Sequence, residues 1–174
     1  MDLLRLAILC GHLVDPAMTL RVIEVESQGQ VYAIHDNTSH QTFVPSSLPE
    51  AVALASRLII EGRRLDIGLM QVNYEVWLRP GAFSLAKAFD ACTNITIGSI
   101  ILNADYVQAL QTSKDPSDAL WRALSLYNSG SEWRGLGYAD RVLRGHSDSA
   151  AHRTERRSSA ERARVASATF SETP

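Results

Sequence analysis

Glu26 is a carboxylate placed where a helix should be burying apolar side chains. It lies in Leu20-Arg21-Val22-Ile23-Glu24-Val25-Glu26-Ser27, downstream of Asp15-Pro16. That pair starts a helix, with an N-cap acceptor and a proline at the first helical position. Met18, Val22, Ile23 and Val25 then recur at core-face spacing, and Glu26 falls three and four residues beyond Ile23 and Val22. Glu24 instead stands within reach of Arg21, as a solvated pair would. A carboxyl at the edge of an apolar stripe has its charged form disfavoured, so it holds a proton toward neutral pH. That is the requirement for a general acid.

Two further stretches belong with it. One is Asp66-Ile67-Gly68-Leu69-Met70-Gln71-Val72-Asn73; the other is Ala123-Leu124-Ser125-Leu126-Tyr127-Asn128-Ser129-Gly130. The ordered set Glu-Ser, Gly-Leu-Met-Gln and Tyr-Asn-x-Gly resembles the lysozyme-like lytic transglycosylases that cleave bacterial peptidoglycan. Tyr32 to Asn37 (Tyr-Ala-Ile-His-Asp-Asn), the Asp-x-Gly-Leu-Met-Gln-Val-Asn run and Phe89 to Asn94 (Phe-Asp-x-Cys-x-Asn) are similar to the branch serving type IV secretion and conjugation machines. The resemblance covers roughly residues 10 to 143.

Glycosidic cleavage needs a proton for the leaving oxygen and stabilisation of an oxocarbenium-like transition state. The resemblance implies one glutamate acting twice, first as acid and then as base on the 6-hydroxyl of the same N-acetylmuramic acid, to leave a 1,6-anhydro sugar. On this chain that role falls to Glu26, with Ser27 orienting it or touching the sugar. Gly68, Leu69, Met70, Gln71 and Asn73 are expected in the cleft wall: Gly68 for close backbone approach, Met70 as an apolar surface, Gln71 as an amide donor and acceptor. A buried turn with Leu69 and Met70 as core is the competing account. Tyr127 is expected to reach toward Glu26 or the sugar, Asn128 to line the site or hold the helix end, and Tyr138 to match the late cleft tyrosine or simply to pack. Asp36 and Asp66 are the other carboxylates near the motifs, and both read as turn residues. His35 and His40 lack metal-ligand spacing, so neither a metal nor a cofactor is expected.

Cys10 and Cys92 are too far apart for a local metal knuckle and fall at helix ends. The resemblance places such a pair, as a disulfide, in the oxidising periplasm; two separate buried thiols are the alternative. The N-terminus lacks the features of an export signal: Asp2 stands where a basic region belongs, Arg5 interrupts the apolar run, and no small-x-small site follows. It reads instead as a helix with Leu3, Leu6, Ala7 and Cys10 inward. A net charge of -2 argues against a general grip on nucleic acid, and no apolar run reaches membrane-spanning length, so no stable membrane insertion is expected.

The elements that must position these residues are mostly helical. The chain length and an apolar fraction of 45% with 21% charged residues suit one folded domain, residues 1–145. The expected fold is mainly α, an α+β lysozyme-like helical bundle around a glycan cleft, with a small β-hairpin insertion from residues 31–37 and 41–44. Ser47-Leu48-Pro49-Glu50 is a capping box opening a helix to Gly62, with Ala51, Leu54, Ala55 and Leu58 inside. A long helix from about Asp90 to Ser113 is expected to present Ile97, Ile101, Ala104 and nearby Ile95, Gly98 and Leu102 as its core surface. Asp115-Pro116 starts the helix that carries Tyr127 and stops at Gly130. From His146 the composition turns to Ser, Ala, Arg and Glu, too poor in apolar residues to fold alone, so 146–174 reads as a disordered tail.

The implied partners are peptidoglycan glycan strands and components of a secretion or conjugation machine. The alternatives are a lysozyme-type muramidase on the same fold and a catalytically weak wall-binding scaffold.

Overall fold

Each helix is bounded by the chemistry its sequence announces. In the computed structural model, which describes residues 2–77 and 84–144, Asp2, Asp15, Asp90 and Asp115 each cap a helix by accepting from free backbone N–H groups of its first turn. They open α1 (Leu3–Cys10), α2 (Pro16–Ser27), α6 (Ala91–Thr112) and α7 (Pro116–Ser129). Gly130, at φ +64°, ends α7 in the left-handed conformation that glycine adopts at least cost. Ser47 caps α3 (Leu48–Ile60) as expected, but the Glu50 carboxylate reaches back to the N–H and hydroxyl of Ser46 rather than to Ser47 itself. Two one-turn helices, α4 (Tyr74–Trp77) and α5 (Leu85–Ala88), complete the numbered helices. Residues 136–144 are also helical.

The extended chain is richer than a hairpin. β1 (Ile34–Asp36) and β2 (Gln41–Phe43) form the anticipated pair, and β3 (Leu65–Ile67) and β4 (Val72–Asn73) extend it to a four-stranded antiparallel sheet in the order β2-β1-β3-β4. Ile34 faces Ile67, His35 faces Asp66, and Asp66 faces Asn73 across the ladders. Side chains alternate across a strand. Ile34, Leu65, Ile67 and Val72 therefore point into the core, while Arg64, Asp66 and Asn73 share the opposite face.

The core lies where α2, α6 and α7 meet the buried side of this sheet. Ile23, Ile67, Leu69, Met70, Ile95 and Leu124 are among its fully buried side chains. Burying a side chain of that kind stabilises by about 1.5–3 kcal/mol. α6 and α7 form an antiparallel hairpin and make the most extensive helix contact. On α6 the expected Ile95, Gly98 and Leu102 are buried, with the polar Asn94 and Ser99, while the expected Ile97 and Ile101 are half-buried and Ala104 is exposed. This unit spans Met1–Val142, and of the second only residues 143 and 144 are described. The expected tail 146–174 lies outside the described residues. No described helix is long and apolar enough to cross a membrane.

Candidate active site

Glu26 sits in the last turn of α2, one residue before Ser27 ends the helix. Its carboxyl is packed closely enough that burial lifts its pKa to about 7, with the negative charge of Asp66 adding to the rise. The Tyr138 hydroxyl and the Arg141 guanidinium act the other way. Tyr138 is 3% exposed and its hydroxyl, which faces Glu26, makes no fully formed hydrogen bond. Arg141 lies over the Tyr138 ring at 5.7 Å. A carboxylic acid that keeps its proton near neutrality is thus held beside a buried hydroxyl that faces it. Glu24 on the same helix is exposed.

Facing Glu26 is the turn Gly68–Gln71 between β3 and β4. Gly68 has φ +81° and Gln71 φ +46°, and the Gln71 N–H closes the turn on the Gly68 carbonyl at 3.2 Å. Asn94, wholly buried on α6, pins the turn from behind. Its amide donates to the carbonyls of Ile67 (2.9 Å) and Ala88 (3.3 Å), and its oxygen accepts from Met70 N–H at 2.8 Å. A Cβ on Gly68 would stand 2.4 Å from the Asn94 amide nitrogen. One on Gly98 would stand 2.6 Å from the Met70 sulfur. Ser27 donates to the Leu69 carbonyl at 2.8 Å, and Tyr127 donates to the Met70 carbonyl at 2.7 Å. Three helices therefore grip one turn through its backbone, which fixes it relative to Glu26.

In front of the turn is a cleft of about 400 Å³ lined by Asn37, Arg64, Asp66, Gln71, Asn73, Asn128 and their apolar neighbours Val72, Ile101 and Tyr127. Glu26 stands beside this lining, close enough to feel the charge of Asp66 and for Tyr127 to feel its own. Asp66 is engaged on both oxygens: Asn37 donates to one and Asn73 to the other, each at 2.8 Å. Gln71 donates its amide nitrogen to the carbonyls of Gly68 (2.8 Å) and Ala33 (3.3 Å), which leaves its oxygen as an acceptor toward the cleft.

Several expected roles change in this light. Ser27 is buried and spends its hydroxyl on backbone carbonyls, so it ties α2 to the turn instead of touching a ligand. Leu69 and Met70 are 0% exposed and serve as core, with Met70 seated on Gly98 rather than offered to a ring. The space a Gly68 side chain would fill is taken by the Asn94 amide. The Tyr127 ring lines the cleft but its hydroxyl is committed to Met70. Gln71, Asn73 and Asn128 do line the cleft, and Tyr138 does stand beside Glu26. Asp36 ends β1 and braces the turn after it: it accepts from Thr38 and Ser39 and pairs with Arg63 at 3.5 Å, and the Ser39 hydroxyl foremost holds its pKa down. Asp66, also read as a turn residue, is instead the middle residue of β3, paired on both sides. Cys10 and Cys92 are joined as a disulfide across 82 residues, tying the end of α1 to the start of α6.

Sequence reasoning missed Asn94, Arg64 and Asp105 as parts of the site. An asparagine beside Ile95 on a helix interior was the available signal for the first, since a buried amide must be satisfied. Arg64 needed β3 to be recognised, after which alternation places it with Asp66. Asp105 lies one turn beyond Ile101 on α6; burial raises its pKa to about 7, one carboxyl oxygen is buried without a partner, and its field reaches Tyr127.

Comparison with known proteins adds an independent line. Residues 8–135 match the family model described as "Transglycosylase SLT domain". The chain is 29% identical to Protein virB1 of Agrobacterium fabrum (strain C58 / ATCC 33970) over 135 residues, which is 76% of this chain and 54% of that protein. It is 34% identical to the Type IV secretion system protein virB1 of Brucella abortus biovar 1 (strain 9-941) over 128 residues, 73% of this chain and 53% of that one. The chain thus spans about half the length of the curated relatives it matches. No solved structure matches it.

Proposed function

The chain belongs to the SLT transglycosylase domain family, and from that premise we propose that it is a peptidoglycan lytic transglycosylase acting for a type IV secretion or conjugation apparatus in the periplasm. The bond cut is the β-1,4 link between N-acetylmuramic acid and N-acetylglucosamine. Glu26 gives its proton to the bridging oxygen as the bond to the muramic C1 breaks. The resulting carboxylate takes the proton of the 6-hydroxyl of the same ring as O6 closes on C1. Glu26 ends protonated, as it began, and no water is consumed. Proximity favours this route, because the nucleophile already belongs to the bound ring.

One observation supports the reading above the others. Beside the cleft stands one carboxyl that burial keeps protonated near neutrality, Glu26, while the nearest other carboxylate, Asp66, has both oxygens occupied by asparagine amides. That arrangement supplies an acid, and it commits Asp66 to holding Asn37 and Asn73 on the sheet face. The secretion context rests on the similarity to the Type IV secretion system protein virB1 of Brucella abortus. Digestion of purified peptidoglycan tests the assignment. Glu26→Gln should remove solubilising activity by on the order of a hundredfold or more with the fold intact, and a folded variant that still clears the wall sinks it.

A further inference from the structure

Arg64 occupies a built position at the cleft. Its N–H donates to the Thr38 hydroxyl at 3.3 Å and its carbonyl accepts from Asn37 N–H at 2.8 Å, so its backbone is fixed on both sides just ahead of β3. Alternation puts its side chain on the same sheet face as Asp66, and it lines the same cleft as Asn37, Asn73 and Asn128. The neighbouring arginines are spoken for: Arg63 pairs with Asp36 and Glu61, and Arg57 pairs with Glu61. Among the described residues Arg64 has no carboxylate partner within ion-pair distance, and the one acid on its own face, Asp66, accepts from the Asn37 and Asn73 amides instead. A guanidinium left open at the mouth of a polar cleft fits a planar anion, and carboxylate is the anion whose geometry it matches in two parallel hydrogen bonds.

We propose that Arg64 forms a carboxylate-reading subsite that selects the acidic substituent carried by the sugar bound next to Glu26. This rests on the reading of the chain as a wall-glycan enzyme. Two sources offer that chemistry, the carboxylates of a stem peptide and the lactyl carboxylate of a muramic acid whose stem has been removed. Arg64 would act on binding and on substrate choice, with the bond-breaking left to Glu26.

The test measures binding of soluble glycan strands in the Glu26→Gln background, so that no strand is consumed. Three forms are compared: strands bearing stems, strands stripped of stems by an amidase, and strands whose carboxyls have been converted to neutral methylamides. The protein with Arg64 should bind the carboxylated forms roughly fivefold or more tightly than the neutralised form at low salt. Arg64→Gln should erase that preference, while Arg57→Gln, an exposed charge on α3, should keep it. Loss confined to stem-bearing strands assigns the stem carboxylates, loss confined to stripped strands assigns the lactyl carboxylate, and loss on both assigns a subsite that accepts either. A preference that persists in Arg64→Gln, or a wild-type protein that binds all three forms alike, overturns the subsite and spares the parent reading. Failure to bind any strand, joined to absent wall cleavage by the unmutated protein, overturns both.

Discussion

Replacing Gly68 by alanine should be among the most damaging single-methyl changes available in this fold. At φ +81° an L side chain is strained, by about 1–2 kcal/mol. The new Cβ would meet the Asn94 amide nitrogen at 2.4 Å and its carbon at 2.6 Å. Asn94 has no room to yield, because its amide holds Ile67, Ala88 and Met70 at once. Displacing it forfeits two or three hydrogen bonds of about 1 kcal/mol each in a buried setting. The sum is about 3–5 kcal/mol, which for a chain of this size lowers the melting temperature by roughly 10 °C. Thermal unfolding of the Gly68→Ala, Asn94→Ala and double variants tests the reasoning. Removing the Asn94 side chain leaves no amide for the Cβ to strike. The double variant should therefore lose less than the two singles together, by roughly 2 kcal/mol. Strict additivity, or a Gly68→Ala variant that melts within two or so degrees of the parent, would refute the contact as the cause.

Three other outcomes follow from the site and its anchor. The acid must be protonated to act, so activity should fall as pH rises through about 7, the value to which burial lifts Glu26; Tyr138→Phe removes a group that lowers it and should move that limb to higher pH. Asp105 is likewise raised to about 7 by burial, so its neutral form is the one the fold accepts, and the cost of ionising it grows as pH climbs from the ordinary carboxylate range to that value. Asp105→Asn should then be near neutral at pH 4 and stabilising above pH 7 by about 1–2 kcal/mol, the full shift being reduced because water reaches part of the group; equal stability changes at both pH values in denaturant titrations contradict this. Reducing Cys10–Cys92, or replacing both by alanine, releases a loop of 82 residues and should cost about 4–5 kcal/mol on the chain-entropy model, read as a lower unfolding midpoint.

Local signals in the sequence carried most of the helical frame. Asp15, Ser47, Asp90 and Asp115 announced helix starts that the structure keeps, and Gly130 announced a stop. The short strands were harder to see. β3 and β4 hold three and two residues, too few for alternation to register, and the pairing of β3 with β1 depends on a segment some thirty residues away. That gap hid the polar sheet face, and with it the placement of Arg64 beside Asp66. The turn motif was legible as a unit, with two accounts of it open. Of these, the buried turn with Leu69 and Met70 as core is the one the packing follows: Gly68 lies against Asn94 and Met70 against Gly98, while Gln71 and Asn73 line the cleft. On α6 the periodicity alone left two adjacent rows open, and Asn94 decided between them by needing three buried backbone partners. Glu26 was visible because a carboxylate on an apolar stripe conflicts with the helix around it, and such conflicts mark sites.

The central claim is that Glu26 serves alone, with the ring's own hydroxyl replacing water. Mass spectrometry of products released from purified peptidoglycan in oxygen-18 water tests it most directly. Muropeptides ending in 1,6-anhydro-N-acetylmuramic acid, free of the label and resistant to borohydride, are the predicted result. Reducing-end products carrying oxygen-18 would contradict it, and would turn attention to Asp66 as the base that activates water.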